Sequence, residues 1–314
     1  MRLRARMLVP FLVGALGLAA FASIPAPGEV TGASDERTGA RQASGTIEER
    51  PGEGHEAPTG AVLDRVVVCG ASLSAGFWIA RTDFADVVGS LRAPNAEAVR
   101  RAPVLGLGDS TFFTDPIGVA TGQIERALRA DPTLVVAIDF LFWFGYGHRN
   151  AEMRPIGGEE ERLGLLQLGL DLLDRFDCPI VVADYPDMSD TIGLMMTEVQ
   201  VPSRASLAAL NARVKAWAAE RGDVLVLPLA DVHGRMRAGE SFTIGRYAWP
   251  AGATKRLLKP DQLHPTTEGL LAVGHLLALE LIEHDVVEAS ALRLDLPELM
   301  AEYDVDAEIL SLPR

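Results

Sequence analysis

Beyond residue 60 the chain alternates between two hydrophobic patterns. Short continuous apolar runs stand at residues 66–69, 104–107, 134–138, 180–183 and 224–229. Runs of this length without polar interruption suit strands buried on both faces, as in a parallel sheet. Between them lie segments with helical periodicity. Residues 83–92 and 117–130 predict amphipathic helices, and the Leu-rich residues 159–176 predict a third, ending before Asp177-Cys178-Pro179. In residues 204–220, Leu207, Leu210, Val214 and Trp217 recur at helical spacing, with Gly222 as the stop signal. Residues 267–283 predict the last strong helix, with Thr266 or Thr267 as its N-cap. Strands alternating with helices imply a three-layer α/β/α sandwich around a mostly parallel, five-stranded sheet. Right-handed crossovers then bring every strand's C-terminal end to one edge, where sites form. Residues 231–260 read as irregular and could overhang that edge. The acidic segment 286–314 either packs on the domain or trails from it.

The pattern before residue 60 is different. Arg2, Arg4 and Arg6 precede an apolar run over residues 7–22, followed by small residues. That is the layout of a secretory signal peptide over residues 1–26, and an uncleaved membrane anchor is the other reading. Either one places the chain outside the cytoplasm, periplasmic or secreted, with a membrane tether through residues 7–22 in the second case. Residues 27–60 are rich in Gly, Glu, Arg, Pro, Ser and Thr and poor in large apolar side chains, which predicts a flexible linker. Residues 61–285 then form the folded domain.

Charge removes one class of function. The chain of 314 residues has a formal net charge of −14 and no basic stripe interleaved with aromatics, which argues against nucleic-acid binding. The two cysteines, Cys69 and Cys178, make no disulfide framework and are expected as free thiols at opposite ends of the sheet. His148, His233, His275 and His284 show no spacing with cysteines or carboxylates that suggests a metal site, and no metal or organic cofactor is expected.

Two short motifs carry chemistry. Gly70-Ala71-Ser72-Leu73-Ser74 follows the first strand, so Ser72 sits at the C-terminal edge of the sheet. A helix starting there would aim its N–H groups at the serine. A serine hydroxyl needs a base, usually a histidine whose tautomer is set by a carboxylate. In Asp261-Gln262-Leu263-His264-Pro265 an Asp three residues before a His can reach that ring locally. Each motif alone also suits an ordinary capped turn. Together, on the first strand and the last loop of a parallel sheet, they fall on the same edge.

The first motif resembles the Gly-Asp-Ser-Leu block of the SGNH/GDSL hydrolases, and the second resembles their Asp-x-x-His-Pro block. Between them, Leu105-Gly106-Leu107-Gly108-Asp109-Ser110-Thr111 resembles the family's second block. The resemblance spans residues 64 to about 284. It implies a flavodoxin-like SGNH fold and hydrolysis of carboxylic esters through an acyl-enzyme. Ser72 would be the nucleophile, His264 the base and Asp261 its orienting carboxylate, with the N–H groups of Ser72 and Gly108 in the oxyanion hole. Two positions depart from the family. Ala71 replaces an Asp outside the catalytic machinery. Leu141 stands where the family has an Asn that completes the oxyanion hole, and losing one such donor typically costs ~2.7–4 kcal/mol. Asn150 is a candidate substitute, with a plain loop role as the other reading.

Phe140, Phe142 and Trp143 lie on the same edge and could line a substrate pocket or pack beneath a loop. Asp187, after the fourth strand, is a further candidate substrate contact. Asp139, at the end of the third strand, is expected to hydrogen-bond the nucleophile loop. The expected substrate is a small-molecule or glycan ester, acyl or O-acetyl. Two rival functions stay open: acyl transfer to a glycan hydroxyl, and a non-catalytic SGNH-like binding module at the cell surface.

Overall fold

The computed structural model describes residues 61–79, 82–94, 101–305 and 310–311. The signal- or anchor-like segment 1–26, with its apolar run 7–22, and the linker 27–60 lie outside the described residues. Among the described residues no helix is long and apolar enough to cross a membrane.

In chain order the elements are β1 (Val66–Val68), α1 (Phe84–Leu91), β2 (Leu105–Gly106), α2 (Pro116–Arg129), β3 (Leu134–Val136), α3 (Phe142–Tyr146), α4 (Glu159–Leu173), β4 (Ile180–Ala183), α5 (Arg204–Arg221), β5 (Val224–Leu227), α6 (Leu229–Ala238), β6 (Phe242–Ile244), β7 (Tyr247–Trp249), α7 (Thr267–Glu283), α8 (Leu296–Glu302) and β8 (Leu310–Ser311). The five expected helices and five expected strands all form. The strands make one parallel sheet in the order β2-β1-β3-β4-β5. This is the expected three-layer α/β/α sandwich, in the flavodoxin-like order.

The continuous apolar runs have the expected cause. Successive side chains of a strand point to opposite faces, and here both faces are covered. Val66, Val68, Leu134, Val136, Val181 and Ala183 pack against α1, α6, α7 and α8. Val67, Cys69, Val135, Ala137, Ile180 and Val182 pack against α2, α3, α4 and α5. The chain passes from β1 to β2 on one side and then crosses back over β1 to β3 on the other. A crevice therefore opens at the C-terminal ends of β1 and β3, the switch point at which open α/β sheets bind ligands.

Two segments depart from their sequence patterns. Most of residues 231–260 are regular rather than irregular. They form most of α6 and an antiparallel hairpin, β6 to β7, turned by Gly245 in the left-handed conformation at φ 56°. Phe242, Ile244, Tyr247 and Trp249 alternate onto the core, with Trp249 donating to the buried Glu268 carboxylate at 3.0 Å. The strands are three residues each, too short to announce a period of two. Residues 286–305 pack on the domain: Val287, Leu292, Leu296, Leu299 and Met300 are buried, and the Tyr303 hydroxyl lies 2.9 Å from that of Ser90. The fold and this extension therefore share one core.

Two buried histidines give the domain an acid limit. Neither ring nitrogen of His233 or His275 has a hydrogen-bond partner among the described residues. Burial pushes both pKa values down from 6.5 to about 4. The unfolded chain takes up these protons near its ordinary value, whereas the folded chain resists until about pH 4. The stabilisation is complete above about pH 6.5 and is lost as pH falls toward about 4, at up to about 1.4 kcal/mol per pH unit for each histidine. Urea unfolding should show a level midpoint from about pH 8 to 7 and a steep decline below, with a shallower decline in His275→Leu. A midpoint that holds down to about pH 4.5 would contradict this account.

Candidate active site

The chain leaves β1 through a turn spanning residues 71–78 rather than through a helix, and α1 begins only at Phe84. This turn carries Ser72, and two buried side chains hold it. Gln123, on α2, grips Gly70 from both sides: its amide donates to the Gly70 carbonyl at 2.8 Å and accepts from the Gly70 N–H at 2.9 Å. Asp139, just past β3, accepts from the Leu73 N–H at 2.8 Å, the Ser74 N–H at 3.2 Å and the Ser74 hydroxyl at 2.5 Å. Burial raises the Asp139 pKa above the usual carboxylate range, and these hydrogen bonds only partly offset it. Gly70 is required because any Cβ there would collide with the Asp139 carboxylate and the Ser74 hydroxyl.

Backbone donors can be accounted for one by one. Leu73 and Ser74 donate to Asp139, and Ala75 donates to the Ala71 carbonyl at 2.9 Å. After β2, Leu107 donates to Val68 at 2.8 Å and Asp109 to Gly70 at 3.0 Å. Among the described residues, the Ser72 and Gly108 N–H groups have no partner. Gly108 lies directly against the turn that carries Ser72, where an added Cβ would come within 2.5 Å of Ala75 N. Two open donors thus lie on and beside the turn that carries Ser72.

The histidine arrives on a separate loop. Leu258 bridges Pro265, Lys259 N–H donates to the His264 carbonyl at 2.8 Å, and Gln262 turns the chain at φ 59°. Asp261 Oδ1 accepts from the Leu263 and His264 N–H groups at 3.0 and 2.9 Å, and its Oδ2 lies 2.9 Å from His264 Nδ1. Burial would raise the Asp261 pKa, but those two N–H groups and the ring hold it below the usual value. Thr266 caps α7 immediately afterwards, accepting from Gly269 N–H at 3.2 Å. The Phe77 ring rests on the His264 ring at 4.3 Å, and the Lys259 ammonium donates to the Phe77 carbonyl, which ties the two loops together.

Burial lowers the His264 pKa below 6.5, and Asp261 restores only part of it. The ring is therefore neutral at pH 7. With Nδ1–H directed at Asp261, Nε2 is left to accept a proton. Any activity that uses this base should rise with pH along a limb whose midpoint lies below 6.5. A kcat/KM profile measured from pH 4 to 9 checks this, and a midpoint above about 7 would contradict the burial argument.

Ser72 and His264 line the same two cavities, one of about 50 Å³ and one of about 500 Å³. No hydrogen bond joins their side chains among the described residues. Such contacts are commonly loose before substrate arrives. The small cavity is walled by Ile138, Leu141, Phe142, Tyr185 and Met188, and the large one by Phe113, Trp143, His148, Met195 and Val199.

Several expected site residues fall elsewhere. The Asn150 amide donates to Glu161 at 3.1 Å and its oxygen accepts from Glu152 and Arg154, so it braces its own loop and is no oxyanion donor. Phe140 is buried against Phe112 and Phe144 and lines neither cavity. Asp187 accepts from Ser189 N–H at 2.9 Å and pairs with Arg237, and it lines neither cavity although its neighbours Pro186 and Met188 line the small one. Phe142 and Trp143 line the small and the large cavity respectively. Gln123 had no signal in the sequence, because an amide on an amphipathic helix reads as surface. The thiols are poor candidates for a nucleophile: burial raises Cys69 to about 12 and Cys178 to about 11. Among the described residues no cluster of His, Cys, Asp and Glu could hold a metal ion.

Neither protein-family models nor curated proteins match the chain. Solved structures similar to it include a GDSL-like lipase from Bacteroides thetaiotaomicron, at 15% identity, covering 70% of this chain and 88% of that one with a TM-score of 0.40. A structure from Bacteroides fragilis named as an acylhydrolase covers 71% of this chain and 88% of its own, at 15% identity and a TM-score of 0.42. The salicylyl-acyltransferase SsfX3, from a tetracycline biosynthetic pathway, is 15% identical with a TM-score of 0.36, over 70% of this chain and 54% of that one.

Proposed function

We propose that this chain is an SGNH/GDSL-type serine esterase that cleaves carboxylic esters through an acyl-enzyme. The observation that carries the proposal is that Ser72 and His264, remote in sequence, line the same cavities, while Asp261 holds Nδ1 of the histidine.

The chemistry follows from those atoms. Nε2 of His264 takes the Ser72 hydroxyl proton as Oγ bonds to the ester carbonyl carbon. The oxygen gains negative charge, which the Ser72 and Gly108 N–H groups stabilise. The bond from carbon to the alkoxy oxygen then breaks, and the imidazolium returns the proton to the leaving alcohol. Water repeats the sequence in reverse roles, releasing the carboxylic acid and restoring Ser72. Asp261 orients the ring and stabilises its cationic form. Asp139 acts one step back, holding the turn that aims Ser72. Leu141 offers no third donor, so the oxyanion hole rests on two backbone groups. This predicts a slower enzyme than one with the full set.

A fluorophosphonate probe tests the reading directly. It should phosphonylate one residue, located at Ser72 by peptide mass spectrometry, and abolish hydrolysis of p-nitrophenyl acetate in step. Labelling elsewhere, or activity that survives full labelling, would sink it. The signal-like layout of residues 1–26 supports, as part of this proposal, an ester met outside the cytoplasm.

A further inference from the structure

The two cavities that meet at Ser72 and His264 differ tenfold in size and in the exposure of the side chains on their walls. The small one, about 50 Å³, is walled by buried groups: Ala71, Ile138, Leu141, Ala183, Tyr185 and Met188. Its walls are pinned. The Tyr185 hydroxyl donates to the Leu141 carbonyl at 2.7 Å, and the Tyr146 hydroxyl donates to Pro186 at 2.5 Å and accepts from Met188 N–H at 3.2 Å. The large one, about 500 Å³, reaches the surface, and Phe113, Met195 and Val199 on its wall are 44%, 42% and 68% exposed.

That exposed apolar rim has a rigid frame. Arg162 is buried, and its guanidinium donates to the Gly145, Gly147, Val199 and Gln200 carbonyls at 2.5, 3.1, 2.9 and 3.3 Å. It ties the Val199–Gln200 segment, part of the large cavity's wall, to the end of α3. Large apolar side chains held open beside a reactive serine are a surface for a ligand rather than chance exposure.

We propose that the site takes esters of short acyl groups with bulky apolar or aromatic alcohols. This rests on the serine esterase reading above. The acyl group stays bonded to Ser72 after the first step, which suits the small cavity with its buried, pinned walls. The alcohol must leave, and water must follow it, which suits the larger cavity with its exposed rim. A dry cavity of about 150 Å³ takes benzene, so one a third of that size admits an acyl group of about two or three carbons. Longer chains would have to displace pinned walls, because packed interiors resist overfilling.

The test is a matrix of esters read as kcat/KM on the full chain. In the acyl series, p-nitrophenyl acetate should exceed p-nitrophenyl octanoate by about a hundredfold or more. In the alcohol series, 2-(1-naphthyl)ethyl acetate should exceed ethyl acetate by about tenfold, mainly through KM, at similar leaving-group basicity. Met188→Ala should raise the butyrate-to-acetate ratio. The double variant Met195→Ser/Val199→Ser, on exposed positions, should lower the naphthylethyl ester at least about fivefold more than ethyl acetate. Octanoate equal to or better than acetate, with Ser72 still labelled by the fluorophosphonate, would overturn the partition and leave the esterase reading intact. No ester turned over and no label on Ser72 would overturn both.

Discussion

Ser72→Ala is expected to lower kcat/KM for p-nitrophenyl acetate by about four orders of magnitude or more, with the far-ultraviolet circular dichroism unchanged. The fold should tolerate the change. Ser72 is half-buried, its hydroxyl bonds no neighbouring side chain among the described residues, and the turn is held instead by Gln123 and Asp139. His264→Ala should cost about as much, and the double variant little more than either single one, because nucleophile and base act as a unit. Whatever rate remains above that in water reports the Ser72 and Gly108 N–H groups, which neither substitution removes. A Ser72→Ala protein as active as the parent would remove the proposed mechanism outright. A double variant whose losses multiplied would mean that the two residues act independently, against their placement on the same cavities.

The second large effect is expected at Asp139, which holds the turn carrying Ser72 and also lines the small cavity. Asp139→Ala leaves the Leu73 and Ser74 N–H groups without an acceptor and the Ser74 hydroxyl with only the Cys69 carbonyl at 3.4 Å. An unsatisfied buried donor costs about 1–3 kcal/mol, so a total loss of about 3 kcal/mol is a moderate expectation even if water enters. For a domain of this size that lowers Tm by roughly 6–12 °C. The turn that aims Ser72 also loosens, and kcat should fall about a hundredfold while KM changes little. Asp139→Asn separates geometry from charge. Its carbonyl oxygen can still accept from the two N–H groups, and its amide can donate to the Ser74 hydroxyl, so both stability and kcat should recover most of the loss. If Asn fails as badly as Ala, the carboxylate charge itself matters, and Asp139 is more than a positioning residue. Differential scanning calorimetry and steady-state kinetics on the same preparations decide between the two.

Much of the scaffold was legible because its signals are local. The apolar runs at residues 66–69 and 180–183 need no partner to read as strands buried on both faces. Thr266 and Gly222 mark helix ends through the hydrogen bond and the left-handed turn that their own residues supply. Asp261 and His264 are three residues apart, so their contact is also a local matter. The hairpin of β6 and β7 escaped notice because three-residue strands are shorter than the pattern that would reveal them. Asn150 misled for the opposite reason. An amide near the expected position is visible in sequence, but its commitment to Glu161, Glu152 and Arg154 is not.

The sequence by itself determined the alternation of elements, the sheet they build, and the chemical types available at its edge: a serine after β1 and an Asp–His pair before α7. Those follow from periodicity, caps and short-range spacing, which act over a few residues. Only the tertiary structure decided which donors are left open at Ser72 and Gly108, that Gln123 and Asp139 hold the turn carrying Ser72, and that one cavity is small with buried walls while the other is large with an exposed rim. Those depend on groups brought together across tens of residues, where the packing of whole elements sets which hydrogen bonds are made and which space stays empty.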